Sequence, residues 1–98
     1  MAEPTDNEAW YDAEIAPALL EIGRRCEERG MSFIANVEYA PEERGATYFL
    51  TEDAGTAIRM VYIAAASAPN VDGFFINLKR MCAERGIDTS ASFVLTRA

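Results

Sequence analysis

Apolar residues recur at helical spacing from Asn70 to Gly86 (NVDGFFINLKRMCAERG), the best-defined element in the chain. Val71, Phe74, Phe75, Leu78, Met81 and Cys82 fall within one arc of a 3.6-residue helix, while Lys79, Arg80, Glu84 and Arg85 point away from it. Asn70 is placed to cap the first turn and Asp72 to favour its positive end. Gly86 is suited to closing the last turn in a left-handed conformation.

Ahead of that helix the pattern changes several times. Residues 1–7 are polar and are expected to fray, and the capping-box spacing of Thr5 and Glu8 predicts a helix starting near Asn7. Pro17 interrupts it, so that either a second helix begins there or a single helix kinks. Ile15, Leu19, Ile22 and Cys26 continue an apolar stripe, which Gly30 ends. Ser32 to Tyr39 then alternates, with Phe33, Ala35, Val37 and Tyr39 on one face and Asn36 and Glu38 on the other, as in a half-buried strand. PEERG (41–45) reads as a hairpin loop, and Ala46 to Leu50 returns as a second strand with Tyr48 and Leu50 on one face.

Thr51-Glu52-Asp53 has the form of a helix start, a hydroxyl cap followed by acids. Ala54, Ala57, Ile58, Val61, Tyr62 and Ala65 recur behind it at helical intervals, predicting a helix over Glu52–Ser67. A third meander strand over Thr56–Ala64 is the rival, because Ile58, Val61, Tyr62 and Ile63 all favour strands. Helical spacing and the alanine run decide for the helix. Ser90 to Thr96 (SASFVLT) reads as a last strand. CEERG and CAERG mark the same event twice, a helix closing on glycine, and are read as independent uses of one ending. The architecture expected is one α+β domain over 1–98, in two layers. Its order is α-β-β-α-α-β, with a small three-stranded sheet (the hairpin plus the C-terminal strand) packed with helices and strand order open.

Composition narrows what such a domain could do. Half of the 98 residues are hydrophobic and 26% are charged, a globular balance. Sixteen acidic against nine basic residues give a net charge of −7, which repels phosphate backbones and anionic membranes. No secretory segment or long apolar run is visible, so the expected location is the cytoplasm. Histidine is absent, removing the commonest metal ligand and general base. Cys26 and Cys82 lie on helix stripes, form no CxxC and are expected to remain buried thiols. The glycines assemble into no phosphate-binding loop, and Ser67, Ser90 and Ser92 have neither a GxSxG setting nor a histidine base. Arg24, Arg25, Lys79 and Arg80 are interleaved with acids, as on a solvated helix face. Neither catalysis, a metal nor a cofactor is expected, and no nucleic-acid or membrane partner.

The run from GMSFIANVEYAPEERG through AAASAPNVDGFFINLKRMCAERG resembles small accessory proteins of tailed bacteriophages and proteobacterial prophages. These begin with a similar WY…IAPAL…C…G-S-F stretch, continue through an acidic turn and carry an NVD-headed helix with a glycine-terminated end. The resemblance covers Trp10 to about Val94, through motifs that are mostly caps, turns and core stripes. Many of these proteins have histidine after the glycine equivalent to Gly86, where this chain has Ile87, so no role of that histidine carries over. The group brings no established activity. What the resemblance implies is a phage accessory setting inside a bacterial host, where small acidic proteins bind and inhibit or redirect host machinery.

The expected function is thus protein–protein binding, with Glu42, Glu43 and Arg44 as a candidate partner-binding loop. A nucleic-acid-mimicking acidic surface is a narrower version, disfavoured because bases are scattered among the acids. The alternative is a structural or assembly subunit whose role is oligomerisation. Between Ala57 and Ala66 only Arg59 is polar, so a helix there needs cover on nearly all sides. Ile58, Val61 and Ala65 are assigned to the core face. Met60, Ile63 and Ala64 are left as the candidate self-association surface of a two-fold dimer.

Overall fold

The computed structural model describes residues 4–90. A helical run opens the chain: α1 (Pro4–Trp10), a π-helical segment (Tyr11–Ile15) and α2 (Ala16–Glu28). The π segment answers the question raised by Pro17. Proline has no N–H to donate and its ring crowds the carbonyl four residues back, so the preceding turn must widen. The Ala16 N–H accordingly bonds the Tyr11 carbonyl, one residue further back than in an α-helix. The helix bulges where the sequence allowed a break or a kink.

The hairpin follows, β1 (Phe33–Ala40) paired antiparallel with β2 (Glu43–Phe49). Its turn is only Pro41-Glu42, with Glu42 at φ 65°. Proline fixes the first turn position, and the second takes the left-handed conformation that a glycine would adopt more easily. Register runs Phe33↔Phe49, Val37↔Gly45 and Glu38↔Arg44, then shifts by one residue between Glu38 and Ala40 as a bulge near the turn. At the base, the Thr51 N–H donates to Ser32 Oγ at 3.1 Å, and Thr51 Oγ1 donates to Asp53 Oδ1 at 2.7 Å.

The Thr51–Asp53 segment is therefore a turn, and the third helix starts later than the sequence suggests: α3 is Thr56–Ser67. Arg59 secures that start, its Nε and Nη2 donating to the carbonyls of Ala54 (2.7 Å) and Glu52 (2.9 Å). The rival strand over Thr56–Ala64 is not formed. The fourth helix, α4 (Val71–Glu84), follows the sequence reading closely. Asn70 Oδ1 accepts the Gly73 N–H at 2.8 Å, Gly86 takes φ 68°, and the Ile87 N–H reaches back to the Cys82 carbonyl at 2.8 Å. The first repeat of that ending is the same in detail, with Gly30 at φ 72° and the Met31 N–H on the Cys26 carbonyl at 2.8 Å. Both are six-to-one helix closures of the kind a left-handed glycine permits.

The expected three-stranded sheet is not found: among the described residues the protein is α+β with a two-stranded sheet. The strand read over Ser90–Thr96 lies outside the described residues except for Ser90. There, Asp88 Oδ1 accepts the Ser90 N–H at 2.9 Å, a local turn in place of a strand start.

Contacts gather in two compact units, one ending at Arg59 and one beginning at Met60. In the first, two glycines let aromatic rings lie against backbone. A Cβ built on Gly23 in α2 would stand 2.5 Å from Phe49 Cε2 and 3.2 Å from Phe33 Cδ1, and one on Gly45 would stand 2.5 Å from Tyr11 Cε1. Gly23 and Tyr11 are buried, whereas Ile22, assigned to the stripe by its spacing, is exposed. The second unit closes on Ile63, Leu78, Met81 and Cys82, with Tyr62, Phe74, Phe75 and Ile87 packed against them. Both cysteines are free, Cys82 buried and Cys26 half-buried. Among the described residues no helix is long and apolar enough to cross a membrane.

Candidate functional site

Two concavities stand out, one within each unit. The first lies where α1 and the π segment meet β1, with a volume of about 210 Å³. Trp10, Tyr11 and Tyr39 contribute aromatic surface to it, Ile15 and Val37 aliphatic surface, and Asn7 and Glu38 the polar part. Tyr11 and Tyr39 pack at a tilt, ring centres 5.4 Å apart. Asn7 Nδ2 donates to the Tyr39 carbonyl at 3.2 Å, and the Tyr39 hydroxyl donates to Glu8 Oε1 over a long 3.5 Å. Trp10 stays 60% exposed, an unusual position for an indole that also lines a cleft.

Tyr39 reports the local charge. Its phenol holds its proton above the ordinary 10.0, first through partial desolvation and then through the negative charges of Glu8, Glu43 and Asp12, with the Glu8 hydrogen bond adding. Because the raised value belongs to the folded state, the preference for neutral phenol is complete below the ordinary tyrosine range. It is lost as pH climbs through the raised value. Glu8→Gln is expected to move the Tyr39 transition downward, followed by the ring-carbon NMR shift of that tyrosine through an alkaline titration. An unmoved transition would show that Glu8 does not stand beside the hydroxyl.

The second concavity, about 190 Å³, is lined by Ala64, Ala68, Pro69, Asn70, Val71 and Phe74. Its walls are almost wholly apolar. Beside it on α3, Met60 is 44% and Val61 50% exposed, and at the head of α4 Val71 is 63% exposed. Residues 60, 61, 64 and 68 follow helical spacing, so this is one continuous stripe.

The residues singled out from sequence fall differently. Met60 and Ala64 are on the exposed stripe, but Ile63 is buried among Leu78, Met81 and Cys82 and is no surface residue. Val61, assigned to the core, takes the outside place. A helix apolar on nearly every side gives its pattern no strong direction, and the core side lies about a quarter of a turn from the expected one, with Ile58 and Ala65 still half-buried. Glu42, Glu43 and Arg44 do not form a loop together. Glu42 occupies the turn, while Glu43 and Arg44 are in β2 on opposite faces, Arg44 Nη1 donating to Asn36 Oδ1 at 3.3 Å. The aromatic cleft has no counterpart among the sequence-derived sites. Its available signal was that β1 alternation puts Tyr39 on the face of Val37.

No group of three or more potential metal-ligating side chains occurs among the described residues. What the two surfaces define is a small α+β protein with an aromatic cleft and a separate apolar groove. Comparison with protein-family profiles, curated proteins and solved structures finds no match.

Proposed function

We propose that this chain is a non-enzymatic accessory protein of the bacteriophage type that acts in the host cytoplasm by gripping another protein, inhibiting or redirecting it. The observation that carries this reading is the exposed stripe of Met60, Val61 and Val71 beside the apolar groove. Since these side chains are already about half covered, completing their burial would contribute roughly 1 kcal/mol each. A groove lined by alanine, proline and phenylalanine offers shape and apolar contact but no group suited to proton transfer. The bacteriophage setting is supported by the resemblance of the chain alone.

A second reading, an assembly subunit, uses the same face: Ala64 and Ala68 are small enough to admit a second helix closely. One variant separates the two. Met60→Glu combined with Val61→Glu changes only exposed positions and is expected to leave the fold intact, within about 0.5 kcal/mol per site. It should abolish the specific capture of bacterial protein that the wild type shows. If the wild type sediments as a dimer at high micromolar concentration and the double variant as a monomer, self-association is the function of this face. If capture is the same for both proteins, the face is not the binding surface.

A further inference from the structure

The aromatic cleft of the first unit takes no part in that reading, and its chemistry is different. Three aromatic side chains, Trp10, Tyr11 and Tyr39, share a concavity of about 210 Å³. That is below the usual range for a drug- or cofactor-sized ligand but suits one planar side-chain head. Aromatic faces carry negative quadrupole density and attract cations, most strongly from tryptophan. The surrounding charge has the same sense: Glu8 Oε1 is 3.5 Å from the Tyr39 hydroxyl, and Glu38 lines the cleft.

We propose that this cleft seats the guanidinium of an arginine on a basic segment of a partner protein, stacked on the accessible rings of Trp10 and Tyr39, with buried Tyr11 backing them, and drawn in by Glu8 and Asp12. Arginine fits better than lysine because it is planar, stacks on aromatic faces and offers several donors to carboxylates at once. Glu8 stands at the Tyr39 hydroxyl, and the negative charges of Glu8, Glu43 and Asp12 all act to raise that phenol, the same sense of field that favours a cation. The nearest arginine in sequence and pairing, Arg44, is cross-strand from Glu38 and donates to Asn36. The chain's net charge of −7 favours encounter with a basic partner. This inference rests on the chain being a protein-binding module but uses a surface distinct from the α3 stripe.

Trp10 is the only tryptophan in the chain, so its emission reads the cleft directly. The probe is a blocked peptide carrying arginine among glycine and serine, titrated beside the same peptide with neutral citrulline in place of arginine. The arginine peptide should change Trp10 emission saturably, with the citrulline peptide at least about tenfold weaker. Glu8→Gln with Asp12→Asn should weaken the arginine peptide about fivefold or more. Glu27→Gln with Glu28→Gln removes the same charge roughly 25 Å further along the helical run and should change binding less than about twofold. An absent or unsaturable response, an equal response to citrulline, or equal weakening by the two double variants would each overturn the proposal. The Met60→Glu and Val61→Glu substitutions should leave peptide binding unchanged. Failure of the cleft is thus distinguishable from failure of the apolar stripe.

Discussion

Gly23→Leu is expected to destabilise the protein by about 3 kcal/mol, and even Gly23→Ala by about 1 kcal/mol. The second figure is the more informative, because alanine in a helix interior normally gains about 1 kcal/mol over glycine. Here the gain is opposed by crowding. A Cβ on Gly23 would meet Phe49 Cε2 at 2.5 Å and Cδ2 at 2.6 Å, well inside contact distance, with Phe33 Cδ1 at 3.2 Å behind. Those rings belong to the paired positions Phe33↔Phe49 at the open end of the hairpin, so relief requires both to shift or the hairpin to lift from α2. Overpacking of this kind costs about 1–3 kcal/mol and outweighs the helix gain. Trimming the ring should restore room: Gly23→Ala with Phe49→Val is expected to lose less than the separate losses together, a coupling of about 1–2 kcal/mol in a double-mutant cycle. Thermal unfolding followed by circular dichroism measures it. A rise in melting temperature for Gly23→Ala alone would mean that the hairpin does not lie on α2 in this way.

The same glycine marks the limit of sequence reading. Caps and closures at Asn70, Gly30 and Gly86 were legible because the chemistry is local, a side-chain oxygen or a missing Cβ acting within six residues. The hairpin was legible from alternation, although its loop shrank from five residues to Pro41-Glu42. Gly23 and Gly45 carry no weight in an apolar pattern, yet their missing side chains seat Phe49 and Tyr11. Ile22, apolar and correctly spaced, was assigned the buried place that Gly23 holds. The aromatic cleft joins residues 10 and 11 to residue 39, a distance in sequence that no periodicity bridges. The strand expected over Ser90–Thr96 lies outside the described residues except for Ser90, which sits in a local turn closed by Asp88.

Ile63→Glu is expected to unfold the second unit, whereas Met60→Glu, three residues earlier on the same helix, is expected to be nearly silent. Ile63 is 9% exposed and packs with Leu78, Met81 and Cys82, none of which offers a strong donor to a carboxylate. A charge placed there loses its hydration and gains no partner, while the apolar contacts of isoleucine disappear as well. Truncation alone, Ile63→Ala, should cost about 2–4 kcal/mol, because α3 and α4 are held together around this residue and cannot fully collapse onto the gap. Met60 is 44% exposed, so a carboxylate there remains in water and the change should stay within about 0.5 kcal/mol. Hydrogen exchange of the α4 amides reads the difference locally, with protection lost in Ile63→Glu and retained in Met60→Glu. Equal protection in the two variants would return Ile63 to the surface and place the core face of α3 on Val61, the side that its sequence first suggests. Loss in Ile63→Glu alone fixes the inward face of α3. It leaves Met60 and Val61 free to meet a partner without any sacrifice of the fold.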